Sequence, residues 1–268
     1  MKIISLLVAL ASMTLVAAGN NASASTTDTL HASSLEPEPE GKKVAPPVKK
    51  VDPALVEIKD VPGLPRMLLI GDSISIGYTL PVRALLKGRV NVHRVLGNCG
   101  DTGRGLAHLD EWIGANYAMG STNLPPAKWD VIHFNFGLHD LKYLDGKGHY
   151  ISPEQGKQVA SPAKYEQNLR LLVERLKKTG ARLVFATTTP VPAGTLGRVE
   201  NDEVRYNEVA VRVMKENGVV IDDLHAVITR QLVVWQRPKN VHFTPAGYEK
   251  LAAAVVASVM PLLPAAPK

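Results

Sequence analysis

A single cysteine, Cys99, stands among 268 residues. One thiol cannot close an internal disulfide, so the fold must be held by its core, and a domain of about 200 residues manages this without staples. Long apolar runs are equally scarce. The stretch from Ile3 to Ala18 follows Lys2 and precedes Ala22-Ser23-Ala24, a small-residue cleavage pattern. It reads as a secretory leader over 1–24, too short and wrongly flanked for a retained anchor. The leader has no cysteine, which argues against lipid attachment. The expected mature protein is soluble, lacks an integral membrane segment, and is secreted or periplasmic. His108, His139, His149 and His225 show no metal-ligand spacing. The phosphate-loop pattern G-x-x-x-x-G-K-[ST] is missing as well. Neither a metal nor a cofactor is expected. Nucleic-acid motifs are also lacking behind the formal charge of +6. Lys42, Lys43, Lys49 and Lys50 fall in a linker, and the other bases are scattered among acids. A basic face would suit an acidic polysaccharide or a membrane surface; a solvated surface is the simpler reading.

What the chain does have is a change of texture. Over 25–63, Pro37, Pro39, Pro46, Pro47, Pro53 and Pro62 alternate with Glu, Lys and Ser. Such a stretch buries too little apolar surface to offset its ordering entropy and is expected to be extended or disordered. Val56, Ile58 and Val61 are its candidates for packing on the domain. Over 64–264 the pattern becomes regular. Strand-length apolar runs occur at Met67–Ile70, Val90–Val95, Val131–Phe136, Leu183–Thr187 and Val219–Ile221. Between them lie helical patterns: one from Ser161-Pro162 to a stop at Gly180, one over Asp202–Asn217, one over His225–Gln236, and one opening at Thr244-Pro245. Continuous apolar strands separated by amphipathic helices predict an α/β fold. It is a three-layer α/β/α sandwich on a five-stranded parallel sheet, flavodoxin-like in class.

In such sheets, sites form beyond the carboxyl ends of the strands. Ser73 follows the first run in Gly71-Asp72-Ser73, where it either caps a helix or presents a nucleophilic hydroxyl. The sequence is not the G-x-S-x-G elbow. The second run opens into the glycine-rich loop Gly97 to Gly105, suited to turning backbone N–H groups toward negative charge. The third continues into His139-Asp140, a candidate site pair whose plainer reading makes Asp140 a loop cap. His242 precedes the final helix. Alone it reads as structural; with Ser73 on the same rim it reads as a general base. His133 and Asn135 read as packed polar groups, Cys99 as structural, and Trp112, Trp129 and Trp235 as core. Lys142, Tyr143, His149 and Tyr150 offer a substrate wall.

In this order the blocks resemble those of the SGNH, or GDSL-type, hydrolases. Gly71-Asp72-Ser73-Ile74 matches the first block, and Gly100-Asp101-Thr102 the second. Gly137-Leu138-His139-Asp140 stands where the family carries G-x-N-D, and Val241-His242-Phe243 matches the histidine half of D-x-x-H. The resemblance implies an esterase with Ser73 as nucleophile and His242 as base. Its oxyanion would be held by the backbone N–H groups of Ser73 and Gly100, with His139 replacing the usual asparagine. Asp72, Asp140 and Asn240 are the supporting candidates.

The acid of D-x-x-H is absent, since position 239 is Lys239. A carbonyl near Lys239, the Asn240 side chain, Asp222 or Asp223 remains to orient His242. The expected activity is hydrolysis of an O-acyl ester, acetyl first, on a small-molecule or polysaccharide substrate. The alternatives are a lipase or thioesterase for longer chains and a non-catalytic carbohydrate-binding domain.

Overall fold

Residues 51–114 and 128–264 are described by the computed structural model. The leader over 1–24 and the first part of the Pro-rich stretch, to 50, lie outside the described residues. The sheet starts from Met67-Leu68-Leu69-Ile70, buried on both faces in β1 (Arg66–Ile70). Such a strand needs partners on both sides. They are β2 (Asn91–Arg94) and β3 (Val131–Phe134), both parallel to it. A short antiparallel pair, β4 (Tyr143–Leu144) and β5 (Lys157–Gln158), stands apart from this sheet. β6 (Arg182–Ala186) and β7 (Val220–Asp222) complete it in the order β2-β1-β3-β6-β7. This is the flavodoxin-like order, with its crevice beyond the carboxyl ends of β1 and β3.

The helices are α1 (Ser73–Leu85), α2 (Thr102–Ile113), α3 (Pro162–Lys177), α4 (Glu203–Glu216), α5 (Leu224–Thr229), α6 (Leu232–Trp235) and α7 (Pro245–Val259). α1 packs on α7, and α7 on α5 and α6; α3 packs between α2 and α4. Two helical layers thus cover the sheet, as expected. The caps anticipated for α3 and α7 are in place. Ser161 accepts from Lys164 N, and Thr244 from Gly247 N. The single helix expected over His225–Gln236 is instead two, α5 and α6, broken where Gln231 leaves helical geometry.

The sequence pattern pointed to neither α1 nor α2, because glycine and proline mask them. In both helices the glycines serve close approach. A Cβ at Gly77 would lie 2.1 Å from the Tyr248 ring of α7, and one at Gly105 would lie 2.8 Å from the Phe136 ring. Packing here outweighs the roughly 1 kcal/mol of helix propensity that each glycine costs.

Residues 51–63 are fastened to the domain mainly through polar groups. Asn91 brackets Val61, accepting from its N–H at 2.9 Å and donating to its carbonyl at 3.0 Å. Asp60 pairs with Arg66 and His93, and Arg83 donates to the carbonyls of Pro53 and Val56. Ala54 is buried, whereas Val56 and Val61 stay exposed. No helix among the described residues is long and apolar enough to cross a membrane.

Candidate active site

Ser73 is the first residue of α1, not its cap. Asp72 is the cap, its carboxylate accepting from Ile74 N at 2.9 Å. Gly71 is needed because Ser75 crowds it: a Cβ there would lie 2.9 Å from Ser75 Cβ and Oγ. Behind this turn sits Arg94, a buried guanidinium with no carboxylate partner among the described residues. It donates instead to the carbonyls of Gly71, Val95 and Gly97 and to the hydroxyls of Ser75 and Thr79. The two loops after β1 and β2 are thereby locked together. Cys99 adds to this weld, accepting from Gly71 N at 3.3 Å and donating its own N–H to Gly71 O. Burial pushes its thiol up to about 12, so Cys99 is structural.

His242 rides a loop pinned at both ends. Arg237 N donates to His242 O, Thr244 N donates to Trp235 O, and Val241 and Phe243 are buried on either side. Its Nε2 lies 2.8 Å from Ser73 Oγ, and its Nδ1 lies 2.7 Å from Asn240 Oδ1. The same Asn240 oxygen accepts from the His242 backbone N–H at 2.9 Å. A backbone N–H can only donate, which fixes the amide orientation. Nδ1 must then carry the ring proton, leaving Nε2 to accept from the serine hydroxyl. That is the tautomer a general base requires.

Asn240 is therefore the side chain that holds the Nδ1 edge of His242, and Asp222 and Asp223 are engaged elsewhere. Lys239 has φ +54° and lays its aliphatic stem over Gly194. Asp222 is held by His133 at 3.0 Å inside the sheet. Asp223 caps α5, accepting from Ala226 N and from the Thr187 hydroxyl. Burial lowers the pKa of His242; Asp72 opposes this, while Arg237 and Arg198 reinforce it. The imidazole is thus kept neutral below the usual histidine range.

Of the expected oxyanion donors, the Ser73 N–H is a first-turn helix N–H and has no partner among the described residues. Gly100 differs from expectation. Its N–H is already taken, donating to Asn98 Oδ1 at 2.9 Å in a turn where Gly100 has φ +69°. Asn98 is exposed, so only rotation of a surface amide frees that donor. His139 is half-buried, and its Nδ1 accepts from Lys142 Nζ at 3.0 Å. An ammonium only donates, so the remaining ring proton sits on Nε2. Burial lowers the pKa of His139, with Lys142 and Arg198 acting in the same direction, so it is a neutral donor.

Asp140 turns away from this chemistry. It is fully buried and accepts from both the N–H and the hydroxyl of Thr102 at the start of α2. Burial pushes its carboxyl up to about 7. It staples the loop after β3 to the loop after β2, the capping role weighed against catalysis. Asp72 likewise acts as a cap, its carboxylate accepting from Ile74 N. Asn135 donates to Ala186 O, a packed polar group as read, and Trp112 and Trp129 are core.

A cavity of about 250 Å³ opens beside His242, walled by Tyr150, Thr195, Leu196, Arg198, Lys239 and Asn240. Sequence reasoning found Tyr150 but missed Thr195, Leu196 and Arg198. The missed signal was positional, since these residues lie on the loop that follows β6, at the same sheet edge. A larger hollow of about 410 Å³ lies at the opposite edge, near Arg182 and Val220, and neither Ser73 nor His242 lines it.

Comparison with known proteins agrees with this geometry. The model of the GDSL-like lipase/acylhydrolase family matches residues 69–250, well over half of the chain. The fold is similar to that of the lipase/acylhydrolase from Enterococcus faecalis, at 18% identity and a TM-score of 0.58 over 76% of this chain and all of that one. It is also similar to an acetylxylan esterase from Geobacillus stearothermophilus, at 19% identity and a TM-score of 0.55 over 73% of this chain and 94% of that one. A second acetyl xylan esterase aligns at 16% identity and a TM-score of 0.55, over 72% of this chain and 99% of that one. No curated protein sequence matches. With its three-layer α/β/α fold and ordered sequence blocks, the chain belongs to the GDSL-like lipase/acylhydrolase family of carboxylic ester hydrolases.

Proposed function

We propose that this protein is an exported serine esterase that removes small acyl groups, acetyl first, from carbohydrate. One observation carries the reading: the unbroken chain Asn240 Oδ1 to His242 Nδ1 at 2.7 Å, and His242 Nε2 to Ser73 Oγ at 2.8 Å. Ser73 Oγ attacks the ester carbonyl as its proton passes to His242 Nε2. The imidazolium gives that proton to the departing alkoxide, releasing the alcohol and leaving acyl-Ser73. Water then attacks the acyl group, passing its proton to His242, which returns one to Ser73 Oγ as the carboxylic acid leaves. The Ser73 N–H and His139 Nε2–H serve the oxyanion, joined by Gly100 N–H once Asn98 rotates away. Asn240 holds the ring without a charge. The reaction so written needs no cofactor.

Acetyl on carbohydrate is favoured by the solved acetylxylan esterases of the same fold and by Tyr150, Arg198 and Lys239 in the wall beside His242, side chains suited to a sugar. A fluorophosphonate serine probe tests the reading. It should label Ser73 in wild type and leave Ser73→Ala unlabelled, and that variant should lose on the order of 10⁴- to 10⁶-fold in kcat. Nitrophenyl esters of graded length should show acetate leading. Folded protein that takes up no probe would favour a binding domain, and a preference for long chains a lipase or thioesterase.

A further inference from the structure

The cavity beside His242 has a definite place in the reaction. It is walled by His242 and Asn240 and not by Ser73, Gly100 or His139. His242 delivers its proton to the leaving oxygen, so the alcohol part of the substrate lies on the imidazole side and the acyl part toward the oxyanion donors. The cavity is accordingly the subsite for the leaving alcohol.

Its charge is of one sign. Arg198 and Lys239 line it, no Asp or Glu does, and among the described residues neither cation pairs with a carboxylate. Lys142 Nζ and Arg198 Cζ each stand 5.3 Å from the ring centroid of Tyr150. The nearby acids are engaged: Asp72 caps α1, Asp101 caps α2, and Asp145 closes its own turn against Lys147 N and His149 N. Tyr150 is 40% exposed and seated on Gly197, where a Cβ would lie 2.7 Å from its ring. A partly exposed aromatic ring, with Lys142 and Arg198 over it and Lys239 in the same wall, is a setting for a sugar that carries negative charge.

We propose that this subsite takes a hexuronate residue, its ring against Tyr150 and its carboxylate between Arg198 and Lys239. The substrate would then be an O-acylated acidic saccharide. The assignment rests on the esterase reading for its orientation. Nε and Nη2 of Arg198 already donate to Leu138 O, at 3.1 and 3.0 Å. What remains are the other guanidinium N–H groups and the Lys239 ammonium, donors that can serve the two oxygens of a carboxylate, with phosphate as the competing anion the test separates.

The test is equilibrium binding to the full chain of trigalacturonate, of the neutral galactotriose of the same linkage, and of galactose 6-phosphate. At low salt trigalacturonate should bind roughly tenfold more tightly than galactotriose. The advantage should largely vanish in about 1 M salt, where the screening length falls to about 3 Å. Lys239→Glu, a change at an exposed side chain, should abolish the preference or reverse it. Equal binding of the acidic and neutral trisaccharides overturns the proposal, as does a preference that survives both salt and Lys239→Glu. Tighter binding of the phosphate overturns the carboxylate assignment. Hydrolysis is scored separately on acetylated trigalacturonate and acetylated galactotriose. Uronate binding without turnover of any ester defeats the esterase reading but leaves the subsite standing. Turnover of both esters without a preference for the acidic one, in binding or in kcat/KM, defeats the subsite alone.

Discussion

Among the imidazoles that lean on an oxygen-bearing side chain, His133 and His242 have opposite surroundings. His133 lies in β3, fully buried, with Nε2 3.0 Å from the Asp222 carboxylate and the Tyr78 ring edge-on at 6.2 Å. His242 lies on a loop, half-buried, with a neutral amide on one side and a serine hydroxyl on the other. The sealed pair has the carboxylate usually associated with a catalytic histidine; the open one has the hydroxyl of the proposed nucleophile. A carboxylate beside an imidazole is therefore no mark of catalysis in itself. What separates the two is a hydroxyl within reach of the second ring nitrogen and a path for substrate to arrive.

The comparison breaks most visibly if Asp222 proves catalytic. Asp222→Ala strands His133 in the sheet without its partner, and removing one member of a buried pair costs about 3–5 kcal/mol. Chemical denaturation should show that loss, while turnover per probe-labelled active site stays near wild type. A variant of full stability with crippled turnover would instead connect Asp222 to the chemistry. A third imidazole sharpens the contrast. His139 is half-buried like His242, yet Lys142 leaves it only a proton to donate. His139→Ala should lower kcat on acetyl esters roughly 100- to 1,000-fold, the usual cost of one oxyanion donor, with a smaller effect on KM. Wild-type turnover in that variant would remove His139 from the oxyanion site.

Much of this was legible in sequence, for reasons that differ by element. The strands announced themselves because both faces of the sheet are covered, leaving unbroken apolar runs such as Met67–Ile70. α3 and α7 were marked by Ser161-Pro162 and Thr244-Pro245, whose caps and first-turn prolines are local signals. α1 and α2 were hidden because Gly77, Pro81, Gly103 and Gly105 look like loop residues, and the close contacts that require Gly77 and Gly105 are made by distant elements. In the site, Ser73 and His242 stood out only together, through their places at strand and helix ends and the order of the sequence blocks; alone, each also had a structural reading. Asn240 could not be ranked above Asp222 or Asp223, because the choice turns on tertiary partners and on the left-handed backbone at Lys239. The occupation of Gly100 N–H by Asn98 and the wall around Arg198 likewise exist only once the loops are assembled.

The smallest effect bears most directly on the open pair. Asn240→Ala removes one neutral hydrogen bond to Nδ1, worth about 0.5–1.5 kcal/mol, so kcat should fall roughly two- to tenfold. A merely structural contribution would lower the amount of folded enzyme without moving the pH dependence, so the acid limb of the pH–rate profile is the sharper readout. As the proposed base, His242 works only when neutral. Burial now holds its pKa below the ordinary histidine value, and the wild-type limb should lie correspondingly low. Asn240→Asp keeps an acceptor for the His242 N–H and for Nδ1 but adds a negative charge. That charge favours the imidazolium and raises the pKa, so the acid limb must move to higher pH. Above the new limb, turnover should equal or exceed wild type, because the charge also stabilises the imidazolium formed during attack. Lys239→Asp should produce no such displacement, since the side chain at 239 runs over Gly194 rather than toward the ring. An acid limb that shifts with residue 239 and ignores residue 240 would reverse the assignment and return the orienting role to the position where the family carries its acid.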